Sequence, residues 1–173
     1  MLADGITGHV PVLRYLTFTP ELGEAVALAD NAFVVGKVRV AGPAALGQSA
    51  VLRGDQNWIE VAPRFFMGER STIHVEFESM TLIGHDVWLG DDVVVHACTL
   101  GDEVRVERGG LVLSNARVGS GSIVDAATLV PEGVEFPDNS FISGTPGRRQ
   151  RDTTPEERAE TRRRVESALN ATA

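Results

Sequence analysis

Arg53, His74 and His96 each follow an aliphatic residue, Leu52, Ile73 and Val95, and stand 21 and 22 residues apart. If the chain winds in coils of that length, the three fall on one edge, one coil above the next, at the ~4.8 Å spacing of stacked strands. Two imidazoles so placed can share a metal ion or a proton. That chemistry depends on the winding, so the elements that impose it come next.

From Ile83 an aliphatic residue recurs at Leu89, Val95, Leu100, Val106, Val112, Val118, Val124 and Val130, every six residues except for one step of five. A helix returns its apolar face every three or four residues and a strand every two, so neither explains the run. A three-cornered parallel β-helix does, because one corner residue per hexad stacks on the corners above and below. Gly often follows the corner (Gly84, Gly90, Gly101, Gly119). The fifth position is small or β-branched (Val87, Val93, Thr99, Val104, Gly110, Ala116, Ser122, Thr128), as a crowded interior requires. The expected fold is an all-β solenoid, a left-handed parallel β-helix of hexapeptide repeats, with a C-terminal α-helix.

The repeat runs back less cleanly through Leu28, Val34 or Val35, Val40, Leu46, Leu52, Val61, Met67 and Ile73. Residues 1–19 read as a cap strand, with Tyr15 and Phe18, that closes the solenoid end; His9 there reads as a surface histidine. Residues 20–150 form the β-helix, and 151–173 a helix packed on it. Two insertions, Asp55 to Trp58 and Val75 to Met80, are expected to leave the coil directly after Arg53 and His74 and to wall their edge. Val130 ends the clean repeat, and Pro131, Gly133, Pro137 and Gly144 to Gly147 mark turns out of the coil. Thr154 caps the helix, Pro155 opens it, Glu156 and Glu157 suit its N-terminus, and Val165, Ala168 and Leu169 form its apolar stripe.

A net charge of -8 argues against nucleic acid as partner, and the arginines near the C-terminus read as a solvated or subunit-facing stretch. Cys98 is the single cysteine, so no internal disulfide forms; it reads as a buried thiol in a cytoplasmic protein. No apolar run reaches the ~20 residues of a membrane span.

On these residues the chain resembles the γ-class carbonic anhydrase family of left-handed β-helix proteins. Arg53-Gly54-Asp55, continuing without a gap to Ile73-His74, is similar to that family's segment from its Arg-Gly-Asp to its first metal histidine. Thr81 to Gly84, through His96-Ala97-Cys98 to Asp102, resembles the segment holding its other two histidines, five apart. Ser143 to Gly147 resembles its closing Gly-Ser/Thr-Pro turn, and the likeness covers roughly residues 20 to 165.

The resemblance implies a homotrimer that holds Zn²⁺ or Fe²⁺ through His74 and His96, with Asp91, in place of the third histidine, coming from the neighbouring subunit. A metal so held makes water acidic enough to attack an electrophilic carbon near neutral pH. Glu69 matches an acidic residue at the site, and Arg53 with Asp55 matches an ion pair that supports the subunit interface beside it. Gly68 stands where the family has a glutamine, so efficient CO₂ hydration is not expected. Phe65 and Phe66 replace polar residues and, with Gly68, predict an apolar substrate pocket for a small carbonyl or related compound that gains or loses water. His85 belongs to the hexad of Ile83, on another face, and is not a ligand by register. Two other readings stay open at this point: a hexapeptide acyltransferase with acyl-CoA in a groove between coils, and a non-catalytic trimeric scaffold. In the plainer alternatives the two histidines hydrogen-bond across a trimer interface and Asp91 is a solvated turn acid.

Overall fold

The computed structural model describes residues 12–171, so the histidine at position 9 and most of the expected cap lie outside the described residues. Within the described part of that stretch, Val12–Leu13 pairs in parallel with Phe33–Val40.

The chain winds through about seven coils of a left-handed parallel β-helix. Each coil lays one strand on each of three faces. Thr72–His74, Val94–His96, Leu111–Val112 and Leu129–Val130 stack on the first face. Thr81–Ile83, Thr99–Leu100, Arg117–Val118 and Glu135–Phe136 stack on the second. Val26–Leu28, Ala44–Leu46, Phe65–Met67, Val87–Leu89, Arg105–Val106, Ile123–Val124 and Ser140–Gly144 form the third. The first two faces join into one 12-stranded sheet because Phe33–Val40 and Val51–Val61 run through the corner between them.

The hexad residues fill the core. Leu52, Ile73, Val95, Val112 and Val130 form one buried column, and Met67, Leu89, Val106, Val124 and Ile142 another. Each such side chain contributes about 1.5–3 kcal/mol by leaving water. The non-glycine corners turn through the left-handed region, as at Arg70, Asp92 and Ala97 (φ 56°, 58° and 47°).

Three details depart from the hexad reading. After the five-residue step it is Cys98, 2% exposed, that fills the interior slot, while Thr99 is only half-buried. Strand alternation decides this, since Thr99 is next to the inward Leu100 and must point outward. Asp55 to Trp58 do not leave the coil as a loop but remain in the 11-residue strand Val51–Val61 and bulge where its partner has only Lys37. The coil also continues past Val130, through Glu135–Phe136 and Ser140–Gly144, before the antiparallel strand Gly147–Asp152 turns back.

The helix Pro155–Ala171 then crosses the third face. Thr154 Oγ1 accepts from Glu157 N (3.2 Å) and Glu157 Oε2 accepts from Thr154 N (2.8 Å), a reciprocal cap. Val165 and Thr161 are buried beneath it. Of the arginines expected in solvent or at a subunit contact, two also dock the helix, Arg162 on Glu103 (2.5 Å), and Arg164 on Glu107 (3.3 Å) and over the Trp88 ring (5.1 Å), while Arg148, Arg149, Arg151 and Arg163 are exposed. No helix among the described residues is long and apolar enough to cross a membrane.

Candidate metal centre

Arg53, His74 and His96 stand in one column. Parallel pairing sets Leu52 beside Ile73 and Ile73 beside Val95, so Arg53 pairs with His74 and His74 with His96 in successive coils. The histidines end their strands at the corner between the first and second faces. Their rings lie 5.1 Å apart, tilted by 51°, with His74 Nδ1 3.1 Å from His96 Nε2.

Asp55 caps one end of this pair. The strand bulge turns its carboxylate back onto the column, where Oδ1 meets His74 Nε2 at 2.9 Å and Oδ2 accepts from Arg53 at 2.7 Å. Burial alone would raise the Asp55 carboxyl, whose side chain is 7% exposed. The hydrogen bond from His74 and the Arg53 charge more than offset that and hold it below the ordinary carboxylate range. An ionised carboxylate only accepts, so His74 carries its proton on Nε2 and presents a lone pair from Nδ1 toward His96. A separation of 3.1 Å is close to the edge of a tetrahedron with 2.0–2.1 Å metal–nitrogen bonds, about 3.3 Å. The pair therefore fits two positions of a Zn²⁺ or Fe²⁺ centre.

The second insertion, Val75 to Met80, does form a loop. Val75 is buried, Glu76 and Ser79 exchange backbone hydrogen bonds (3.0 and 3.3 Å), and Ser79 Oγ donates to Asn115 two coils further on (2.7 Å). On the other side Asn57 of the bulge donates to Phe77 O (3.2 Å). The tip carries Phe77, 79% exposed beside the site. His96 Nδ1 faces Ser114 Oγ at 3.0 Å, and neither Ser114 nor Glu76 was anticipated. Ser114 falls one residue past the column position, which Leu113 occupies, and Glu76 sits in the insertion, so the hexad register carries no signal for either.

Asp91 and Glu69 lie elsewhere on the same face. Both precede their strands, at the corner between the third and first faces, while the histidines end theirs; three extended residues at ~3.3 Å each separate the two edges. Asp91 accepts from Glu69 N (3.1 Å) and from Arg108 Nη2 (2.8 Å), and Glu69 pairs with Arg70 (2.9 Å). Among the described residues, no three His, Cys, Asp or Glu side chains of one chain converge on a metal position. His85 is exposed on another face, in the turn before Val87–Leu89.

Beside that corner lies an apolar groove of about 480 Å³, lined by Leu28, Ala45, Leu46, Phe66, Glu69 and Asp91 among others. Phe66 stacks on Trp88 at 6.0 Å and forms part of its wall. The expectation that Phe65 and Gly68 line this pocket is corrected. Phe65 is fully buried, because alternation along its strand turns it inward. Gly68 is buried with its N–H donated to Leu89 O (2.8 Å), and a Cβ there would stand 2.5 Å from Gly90 C.

Protein YrdA of Escherichia coli K12 is 31% identical to this chain over 156 residues, covering 86% of the chain and 85% of its own length. The chain belongs to the γ-carbonic-anhydrase-like family of hexapeptide-repeat proteins. Another member of this family, mitochondrial gamma carbonic anhydrase 2 of Arabidopsis thaliana, is 27% identical over 162 residues, and the matched stretch spans 90% of this chain but 58% of that relative. Among solved structures, a hexapeptide transferase family protein from Anaplasma phagocytophilum superposes with a TM-score of 0.89 at 27% identity, over 93% of this chain and 95% of its own. No protein-family profile matches the chain.

Proposed function

We propose that this protein is a homotrimeric metalloenzyme that binds Zn²⁺ or Fe²⁺ between subunits, through His74 and His96 of one copy and Asp91 of the next. The reading rests on one observation above all: His74 Nδ1 turns a lone pair toward His96 Nε2 at 3.1 Å, a spacing suited to a shared cation. The donor edge and the Asp91 edge flank the same face, so a ring of copies meets edge to edge and closes, the heterologous contact of a cyclic oligomer. In that ring Arg108 gives up Asp91, and Arg53 with Asp55 braces the contact.

When bound, the metal supplies Lewis-acid activation of water for attack on a small carbonyl or related compound. The protein's own groups do the rest. Phe66 and the aliphatic wall of the groove exclude water and favour an organic substrate over CO₂. Glu69, at the groove's rim beside Asp91, is placed to accept a proton there, and Asp55 holds His74 in its ligating tautomer. The test is metal analysis of protein purified without chelator, followed by hydration and hydrolysis assays on CO₂ and small esters. About one metal per chain, with organic turnover above CO₂ turnover, is expected; no metal bound and none rebinding overturns the proposal.

A further inference from the structure

We infer that Ser114 and Glu76 are positioning residues for His96, and that they hold a proton on its Nδ1 and turn its Nε2 toward His74. The inference rests on the proposed metal centre but concerns where this chain holds a proton. Ser114, 5% exposed, lies with its hydroxyl 3.0 Å from His96 Nδ1 and 2.5 Å from Glu76 Oε1. A serine hydroxyl has one proton to donate, and the shorter contact to a carboxylate takes it. Ser114 Oγ is then an acceptor toward His96. Glu76 Oε1 itself stands 3.6 Å from the same nitrogen, so both groups facing Nδ1 are acceptors. His96 therefore carries a proton on Nδ1, and its Nε2, hydrogen-bonded to His74 Nδ1 at 3.1 Å, is the nitrogen that gives up its proton when a cation comes between the rings.

The two histidines are thus oriented in mirror fashion. Asp55 fixes the outer nitrogen of His74 directly, and Glu76 fixes that of His96 through Ser114. Once a cation displaces the proton shared between the rings, two inward lone pairs from opposite ring positions face it, Nδ1 of one and Nε2 of the other. The insertion Val75 to Met80 acquires a purpose here. Its anchorage to Asn57 and Asn115 holds Glu76 over Ser114, which belongs to a coil 38 residues further along the chain. Partners of this kind orient metal-ligating histidines, and their loss costs 10- to 100-fold in metal affinity.

The test uses the full-length protein with ¹⁵N-labelled histidine, without metal, at pH 8, where an ordinary imidazole is neutral. Long-range ¹H–¹⁵N spectra should show His96 protonated on Nδ1 and His74 on Nε2. Ser114→Ala should move the His96 proton toward Nε2 and weaken Zn²⁺ binding, measured against a chromophoric chelator, by 10- to 100-fold, with Glu76→Gln shifting both the same way. Ser114→Thr, which keeps the hydroxyl, should restore both readouts. Wild-type His96 bare on Nδ1, or an affinity loss in Ser114→Ala without a change of protonation at that nitrogen, overturns the inference. Wild-type protein with the expected tautomers but no Zn²⁺ binding overturns the proposed metal centre and leaves the positioning role standing.

Discussion

His74 and His96 occupy one register position in successive coils, and their facing nitrogens are 3.1 Å apart. Replacing either by Ala leaves one nitrogen where two are needed. Each single variant should lose at least 100-fold in Zn²⁺ affinity, and the rise in Tm that Zn²⁺ gives the wild type should vanish. Both side chains are 22–28% exposed, so the metal-free variants should unfold within about 1 kcal/mol of wild type in urea.

In the proposed trimer Asp91 would meet the histidines of a neighbouring copy across an interface. Chains carrying His96→Ala and chains carrying Asp91→Ala should each fail to bind metal alone. In mixed trimers a site is intact where an Asp91→Ala chain supplies the histidines and a His96→Ala chain supplies the carboxylate. Co-expression in equal amounts should restore about a quarter of the sites. No recovery on mixing would place the third ligand elsewhere.

Restoring the family's glutamine should not restore a family activity. A Cβ at Gly68 would stand 2.5 Å from Gly90 C and 2.7 Å from Asp91 N, both backbone atoms of the next coil. Gly68→Gln should lower stability by about 2 kcal/mol or more, read as a fall in Tm, because these strands cannot part without losing their ladder.

Cys98 is 2% exposed in the interior, and burial pushes its thiol up to about 12. Thiolate is the reactive form, so Ellman's reagent should leave the native protein unmodified and react with one thiol per chain in 6 M guanidinium. Fast reaction in the native state would show that the coils open locally at the five-residue step.

Glu157 accepts two hydrogen bonds from Arg151 and one from Thr154 N, which hold its carboxyl down at about 2. A depressed folded value stabilises the protein fully above the unfolded value near 4.5, and that contribution drains away as the pH falls toward 2. Glu157→Gln should therefore be less stable by about 1–2 kcal/mol at pH 7, and its melting curve should converge with the wild type near pH 2.

Much of this architecture was legible in the sequence because one corner residue per hexad must be buried. The 21- and 22-residue spacings of Leu52, Ile73 and Val95 were enough to stack Arg53, His74 and His96 before any coordinates. What failed was outside the period or finer than it. Phe65 was misplaced because it was assigned from the resemblance, although its place two residues before the corner Met67 marks an interior slot, as Val87 before Leu89 does. The bulge at Asp55 to Trp58 looked like a loop because three extra residues do not reveal that Phe33–Val40 runs alongside and keeps them extended. Ser114 and Glu76 were invisible because their meeting joins an insertion to a later coil.

The parallel ladder that seats His74 beside His96 also fixes how far apart they are. Neither imidazole sits on a hinge or a free loop, so an incoming ion cannot draw them together or spread them. In the proposed centre ion choice would fall to the backbone: the pitch of the winding would act as a gauge, admitting cations whose bond lengths suit it and penalising larger ones such as Ca²⁺, whatever their abundance.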